Sequence, residues 1–301
     1  MKWYKYVGRG AGFVFGLAVM LALLSVVFCR EDGLYVYDAL NVDIKTNDIL
    51  EEPANSLDII FIGDSECYAS ISPKDLSSKF GYNSYVCATA AQRICDTYAI
   101  LCANFKTQSP QLVVLETNCL YRSLKSEGAD SDVVLNALTE RAPVFAYHSR
   151  WKSFARQLMP KSRGEERRKK KGFVMRDDIV PYKGGEYMKK TKKIKEIDED
   201  ILSYLDQIKA LCEENGAQLL LFSVSAPKNW NYQKHNGVNA WAKEHAVSYL
   251  DLNLEKNLAI DWKKDTKDGG DHMNVKGAKK VTVYMGQYFK DHYDIKAREE
   301  Q

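Results

Sequence analysis

Proline and glycine are scarce in this chain, 7 and 18 of 301 residues, which excludes a collagenous or low-complexity polymer. An excess of one charge is also missing. The 43 basic and 40 acidic side chains leave a net +3, which excludes a nucleic-acid binder that works through its whole surface and an acidic disordered chain. The seven cysteines (29, 67, 87, 95, 102, 119 and 212) are odd in number, and no pair has CxxC or zinc-ligand spacing. They fit free, buried thiols better than a disulfide framework. A mean hydropathy of −0.39 excludes a multi-span membrane protein. No internal repeat is present. With 45% hydrophobic and 11% aromatic residues, the chain can bury a sizeable core.

One apolar run survives that average. Residues 10–29, GAGFVFGLAVMLALLSVVFC, carry no charge, and twenty such residues are about the length that crosses a bilayer. Lys2, Lys5 and Arg9 precede the run, while Arg30, Glu31 and Asp32 follow it. That order predicts a single-pass anchor in the cell membrane with a cytoplasmic N-terminus and the remaining chain outside. Trp3, Tyr4 and Tyr6 suit the interface. The competing reading is a cleaved signal peptide, for which the run is long and lacks a clear small-x-small site. Val-Val-Phe before Cys29 is a poor lipoprotein signal.

Residues 31–56 are polar and mixed, as in a stalk or linker. From 57 the pattern becomes α/β. Short apolar runs at 57–62, 84–87, 111–116, 218–224 and 246–252 read as buried strands. Amphipathic stretches at 94–105, 201–212, 230–245 and 275–289 read as helices. Continuous apolar strands alternating with helices predict a parallel sheet covered on both faces. The domain is expected over 57–293, followed by a polar tail at 294–301. Residues 120–197 interrupt the rhythm with two expected helices, about 131–140 and 144–158, and a basic run. Lys161 to Lys171 holds seven basic and two acidic residues. It reads as a solvated loop or as a docking surface for a polyanion or for phospholipid headgroups.

Three polar residues stand at strand ends. Gly63-Asp64-Ser65 follows the first strand, Asn118 follows the third, and His272 lies between the fifth strand and the last helix, in Asp268-Gly-Gly-Asp271-His272-Met-Asn274. Ligands of open parallel sheets bind beyond the carboxyl ends of the strands, so one sheet edge would gather all three. A serine becomes a nucleophile when a base takes its proton, and the base needs a carboxylate to fix its tautomer. The backbone N–H of Ser65 and the amide of Asn118 are candidate donors to an oxyanion. Each residue also has a plainer reading: Asp64 or Ser65 as a helix cap, Asn118 as a turn residue, Asn274 as the next cap. His148 reads as a packed residue, and His235, His245 and His292 as surface positions of helices.

These blocks resemble the SGNH (GDSL-like) hydrolases. Phe61-Ile-Gly-Asp-Ser65 stands for their GDS turn, Asn118 for their oxyanion asparagine, and Asp268 to His272 for the DxxH before their final helix. The resemblance covers roughly 57–125 and 200–290. It implies a flavodoxin-like three-layer α/β/α sandwich with a five-stranded parallel sheet and no metal or other cofactor. It also implies Ser65 as nucleophile, His272 as base and Asp268 as the orienting acid, with Asp271 as the alternative. The oxyanion would be held by Ser65, Asn118 and Ala88, with Ala91 as the alternative to Ala88. The implied activity is ester hydrolysis or acyl transfer, with an acetyl or other small acyl group the default. The substrate would be a carbohydrate or another acyl ester, and the anchored layout resembles members working on envelope glycans beside a membrane-bound acyltransferase partner. Three features differ from the pattern: Gly269 stands three before His272, no glycine is evident after the second strand, and the asparagine block reads Glu-Thr-Asn-Cys. The GxSxG elbow of α/β-hydrolases is absent.

Two other classes stay open. One is a non-catalytic module of this fold that binds a polyanionic envelope polymer or a membrane acyltransferase partner. The other is a phosphate- or sulfate-ester enzyme, which no metal-ligand cluster supports. Nucleic acid is not an expected partner.

Overall fold

The computed structural model describes residues 3–28, 49, 52–124 and 169–298. The expected helices near 131–140 and 144–158, His148 and most of the basic run lie outside the described residues. The chain divides into two units, Met1–Asn41 with Lys125–Ser162, and Val42–Leu124 with Arg163–Gln301.

In the first unit, Trp3–Phe28 forms one α-helix, α1. Among the described residues no helix is long and apolar enough to cross a membrane. Part of the α1 side chains lies outside those residues. The expected anchor is therefore not shown by this helix.

The second unit is the α/β domain. Its elements are β1 (Ile59–Gly63), α2 (Ser65–Ser70), α3 (Pro73–Phe80), β2 (Ser84–Ala88), α4 (Ile94–Asn104), β3 (Leu112–Glu116), a 3-10 turn (Thr117–Tyr121), α5 (Glu199–Glu214), β4 (Gln218–Ser223), α6 (Tyr232–Glu244), β5 (Ser248–Asp251) and α7 (Val275–His292). The five strands pair in the order β2-β1-β3-β4-β5, all parallel. Every residue of β1, β2 and β3 is buried, which is why those strands read as unbroken apolar runs rather than alternations.

Successive side chains of a strand point to opposite faces. On one face Ile59, Phe61, Val114 and Phe222 pack with Cys67, Leu76, Val281, Met285 and Phe289 of α2, α3 and α7. Phe61 is the hub, with ring centroids 6.3 Å from Phe222 and 6.0 Å from Phe289. The intervening Ile60, Ile62, Val113, Leu115 and Leu221 are buried on the other face, where α4 lies against β1 and α5 against β4. The sheet is thus covered on both sides.

Of the stretch read as an insertion, 120–124 and 169–197 pack with the sheet unit. The latter is an irregular strap tied by backbone hydrogen bonds. Val86 donates to Lys171, Val174 to Tyr68, Val180 to Thr266, Tyr182 to Trp262 and Lys195 to Gln233. The expected polar tail is anchored as well, since the Arg298 guanidinium donates to the carbonyls of Asn55, Leu57 and Ser109.

The order 2-1-3 at one side of the sheet makes the β1/β3 boundary a topological switch point, where a crevice opens beyond the strand ends. Gly63 shapes that crevice. Its φ is 155°, and a Cβ built on it would stand 2.5 Å from the Cβ of Glu116. Gly63→Ala is expected to cost about 3 kcal/mol through overpacking and backbone strain. A loss of several degrees in Tm, read by calorimetry, checks this; an unchanged Tm contradicts the close β1/β3 approach.

Candidate active site

The turn after β1 carries Ser65 as the first residue of α2. Asp64 caps that helix, accepting the Glu66 N–H at Oδ1 (2.9 Å). Asp64 is thus a helix cap, as its plain reading expected. Asp64 Oδ2 accepts from Asn118 Nδ2 (2.9 Å) and from the Arg122 guanidinium (2.8 Å). Asp64 itself is fully buried. One carboxylate thus joins the end of β1 to the turn after β3.

The third strand end arrives through the loop before α7. Ser65 Oγ lies 2.7 Å from His272 Nε2, and His272 Nδ1 lies 2.7 Å from Asp268 Oδ2. The arrangement fits a ring N–H at Nδ1 donating to Asp268, with Nε2 accepting from the serine hydroxyl. Asp268 Oδ1 also accepts the His272 backbone N–H at 2.8 Å. Burial alone would raise the Asp268 carboxyl. The hydrogen bonds and charge of His272, with Lys267 at 3.5 Å, outweigh burial and hold it below its usual range.

The two candidate acids differ in their distance from the ring. Asp271 Oδ2 is 3.4 Å from His272 Nδ1, and its other oxygen accepts from Asn229 Nδ2. Two left-handed glycines, Gly269 (φ 79°) and Gly270 (φ 95°), allow the loop to fold Asp268 back onto the ring. Asn274 caps α7, as its plain reading expected.

Asn118 sits in the 3-10 turn with its N–H held by Glu116 Oε1 at 2.9 Å. Lys234 Nζ reaches its Oδ1 at 3.5 Å, which orients the amide with nitrogen toward Asp64. Ala88 is placed differently from the expectation. It is fully buried as the last residue of β2, in register with Gly63. The exposed residues of that stretch are Ala90 and Ala91. Ala91 has φ 55°, a conformation that favours glycine.

Sequence reasoning missed three features. Glu66 and Glu116 are buried beside the nucleophile, each with one carboxyl oxygen lacking a hydrogen-bond partner. Burial, reinforced by the Asp64 charge, pushes both carboxyls well up. Asn229 bridges Glu66 Oε1 (2.7 Å) and Asp271. His235, expected at a surface position, bonds to the buried Asp251 at 2.8 Å. A polar residue in an apolar segment was the only available signal, and it did not reveal these partners. Among the described residues, Asp268, Asp271 and His272 are close enough together to hold an ion. Both His272 nitrogens are already engaged by Asp268 and Ser65, so coordination there would break the serine–histidine link.

No protein-family model and no curated protein matches the chain. Solved structures with a similar fold include a lipase/acylhydrolase from Enterococcus faecalis, 10% identical, covering 80% of this chain and 98% of that one at a TM-score of 0.43. A GDSL-like lipase from Bacteroides thetaiotaomicron is 13% identical, with coverages of 77% and 87% and a TM-score of 0.39. An acetyl xylan esterase from the rumen bacterium Butyrivibrio proteoclasticus is 10% identical, with coverages of 79% and 64% and a TM-score of 0.36. Likenesses this distant leave the chemistry to the side chains themselves.

The raised carboxyls have a signed consequence. Glu66 and Glu116 keep protons in the folded state above the pH at which the unfolded chain has lost them, so stability falls as pH rises from the ordinary carboxylate range toward their folded values. The slope is on the order of 1 kcal/mol per pH unit for each retained proton. Glu66→Gln and Glu116→Gln are each expected to flatten the decline in denaturant-derived stability between pH 5 and 8. A decline identical to wild type would mean that these carboxyls are ionised in the fold.

Proposed function

We propose that the chain is an SGNH-type serine esterase or O-acyltransferase, with Ser65, His272 and Asp268 as its triad. The observation that carries this reading is the unbroken Ser65–His272–Asp268 relay, with 2.7 Å at both links. In the proposed reaction the Ser65 Oγ attacks an ester carbonyl while its proton passes to His272 Nε2. Asp268 holds the opposite N–H and stabilises the imidazolium. The oxyanion meets the Ser65 N–H, which has no intrahelical acceptor at the start of α2, and the second amide hydrogen of Asn118. The N–H of the exposed Ala90–Ala91 turn is a further candidate donor. Collapse breaks the ester bond, His272 returns the proton to the leaving alcohol, and acyl-Ser65 remains. Water or an acceptor hydroxyl then attacks, with His272 as base again.

The proposed substrate class is acyl esters of carbohydrates, with a small acyl group, of cell-envelope glycans. Support for the location comes from the sequence alone. The uncharged run at 10–29, preceded by Lys2, Lys5 and Arg9, is proposed to anchor the chain with its N-terminus in the cytoplasm and the α/β domain outside, where a membrane acyltransferase could supply acyl groups.

The test is a fluorophosphonate probe on the full chain in detergent, with the adduct located by mass spectrometry. Labelling is expected at Ser65, absent in Ser65→Ala, and slowed about 10²- to 10⁴-fold in His272→Ala. Absence of labelling in a folded wild type would sink the catalytic reading and favour a binding module.

The two acids separate in the same assay. Asp268→Asn is expected to slow labelling by at least about 10²-fold, and Asp271→Asn by less than about tenfold, because a lost carboxylate leaves the histidine in the wrong tautomer. Equal losses would remove the assignment of Asp268.

A further inference from the structure

The loop between β4 and α6 carries no member of the proposed triad, yet it reaches both ends of it. Asn229 stands on this loop, half-buried. Its side-chain nitrogen donates to Glu66 Oε1 at 2.7 Å and to Asp271 Oδ1. Glu66 follows Ser65 on the first turn of α2, and Asp271 precedes His272. An amide nitrogen has two hydrogens, and both are spent here, one on each carboxyl group.

The backbone beneath Asn229 is fixed as well. Its N–H donates to the Ala226 carbonyl at 3.0 Å, and its own carbonyl accepts from the Lys234 ammonium. The preceding residue, Lys228, donates its N–H to the Gly270 carbonyl at 3.0 Å and its ammonium to the carbonyl of Asp268. The amide is thus set against the loop that carries Asp268, Asp271 and His272.

Two carboxylates of that loop compete for His272 Nδ1. Asp268 Oδ2 stands at 2.7 Å, a full hydrogen bond, and Asp271 Oδ2 at 3.4 Å, beyond that range. Their side chains are 32% and 34% exposed, so burial does not separate them. Their other oxygens do. Asp268 Oδ1 takes the His272 backbone N–H, which turns its carboxylate to the ring. Asp271 Oδ1 takes the Asn229 amide, which ties it to Glu66 instead.

We infer that Asn229 is a positioning residue that selects between the two acids: by holding Asp271 short of the imidazole, it leaves Nδ1 to Asp268. The inference rests on the serine-esterase reading and deepens it. Asp271 is then a latent acid, released when the Asn229 amide is removed.

The test compares rates of fluorophosphonate labelling at Ser65 in the full chain in detergent, with Tm confirming each fold. Rates are taken as ratios within one background, so any loss from Asn229→Ala alone cancels. Asp268→Asn is expected to slow labelling by at least about 10²-fold when Asn229 is present, and by about tenfold or less in Asn229→Ala, where Asp271 takes the ring N–H. Adding Asp271→Asn to Asn229→Ala/Asp268→Asn should restore the full loss, which a merely structural role for Asn229 would not produce. Equal losses in the two backgrounds, or a recovery that survives Asp271→Asn, would overturn the inference. A second comparison needs no change at 229. In Asp268→Asn with Asn229 in place, Asp271→Asn is expected to add less than about threefold, because Asp271 is already withheld; a larger loss would mean that Asp271 reaches the ring despite the amide. A folded wild type without labelling overturns the esterase reading and the role of Asn229 with it. A labelled wild type that fails either comparison overturns the role of Asn229 alone.

Discussion

The buried carboxylate of Asp64 is the constraint on which the catalytic end of the sheet depends. It caps the helix that begins with Ser65, and it accepts from Asn118 and Arg122 on the neighbouring turn. A fully buried anion is tolerable only when its oxygens are filled, and charge-assisted hydrogen bonds are the strong ones. Those donors come from one turn, 54 and 58 residues away in sequence. Any loss of register between β1 and β3 would leave the charge unpaired. Gly63 supplies the steric counterpart, since only a residue without Cβ lets the Glu116 backbone approach. Sterics and charge therefore hold together the same two strand ends, those that carry Ser65 and Asn118.

The surrounding electrostatics fit this arrangement. Besides Asp268, four carboxyl groups, from Asp64, Glu66, Glu116 and Asp271, lie in this region, and all of them ionised would oppose an oxyanion. Burial drives Glu66 and Glu116 toward the neutral acid, and the Arg122 guanidinium lies 2.8 Å from Asp64. Lys234 adds a cation at the rim. Burial and the nearby Lys195 lower its pKa, while the carboxyls draw it back up. It rests over the rings of Tyr121 and Trp230, at 5.1 and 5.6 Å. Its carbonyl contact with Asn229 and its reach to Asn118 tie the rim to the cleft.

The strands and the strand-end motifs were legible because buried parallel strands are short continuous apolar runs, and because such a sheet puts its chemistry at one edge. Helix α2 was read only as the helix that Asp64 or Ser65 would cap, and α3 was not read. The first has six residues and starts at the nucleophile itself, too short to show a period. The second had its signals in place, with Ser72 as cap, Pro73 at its start and a left-handed Gly81 at its end, but only Leu76 and Pro73 face inward. The strap over 169–197 has no periodic pattern, because backbone contacts to distant turns hold it rather than an apolar face. Asn229 was invisible for a related reason. Its two carboxyl partners lie 163 and 42 residues away, and an asparagine in a turn looks alike whether or not it bridges anything.

The loop of the acid shows why a departure from a sequence pattern need not displace the chemistry. An extra residue between Asp268 and His272 would carry the carboxylate away if the loop kept ordinary backbone angles. Two consecutive left-handed glycines absorb it, and the neighbours fix the result. Val180 of the strap accepts from Gly269, Thr266 Oγ1 accepts from Gly270, and Lys228 donates its N–H to the Gly270 carbonyl and its ammonium to that of Asp268. A side chain on Gly270 would meet Pro227 at 2.7 Å and the Tyr182 ring at 3.0 Å, so the loop is walled as well as bonded. With so many contacts converging on three residues, Asp268 is held in place, and in the proposed reaction little reorganisation would be left. The strap, outside every recognisable motif, is therefore part of what holds Asp268 against His272 and Ser65.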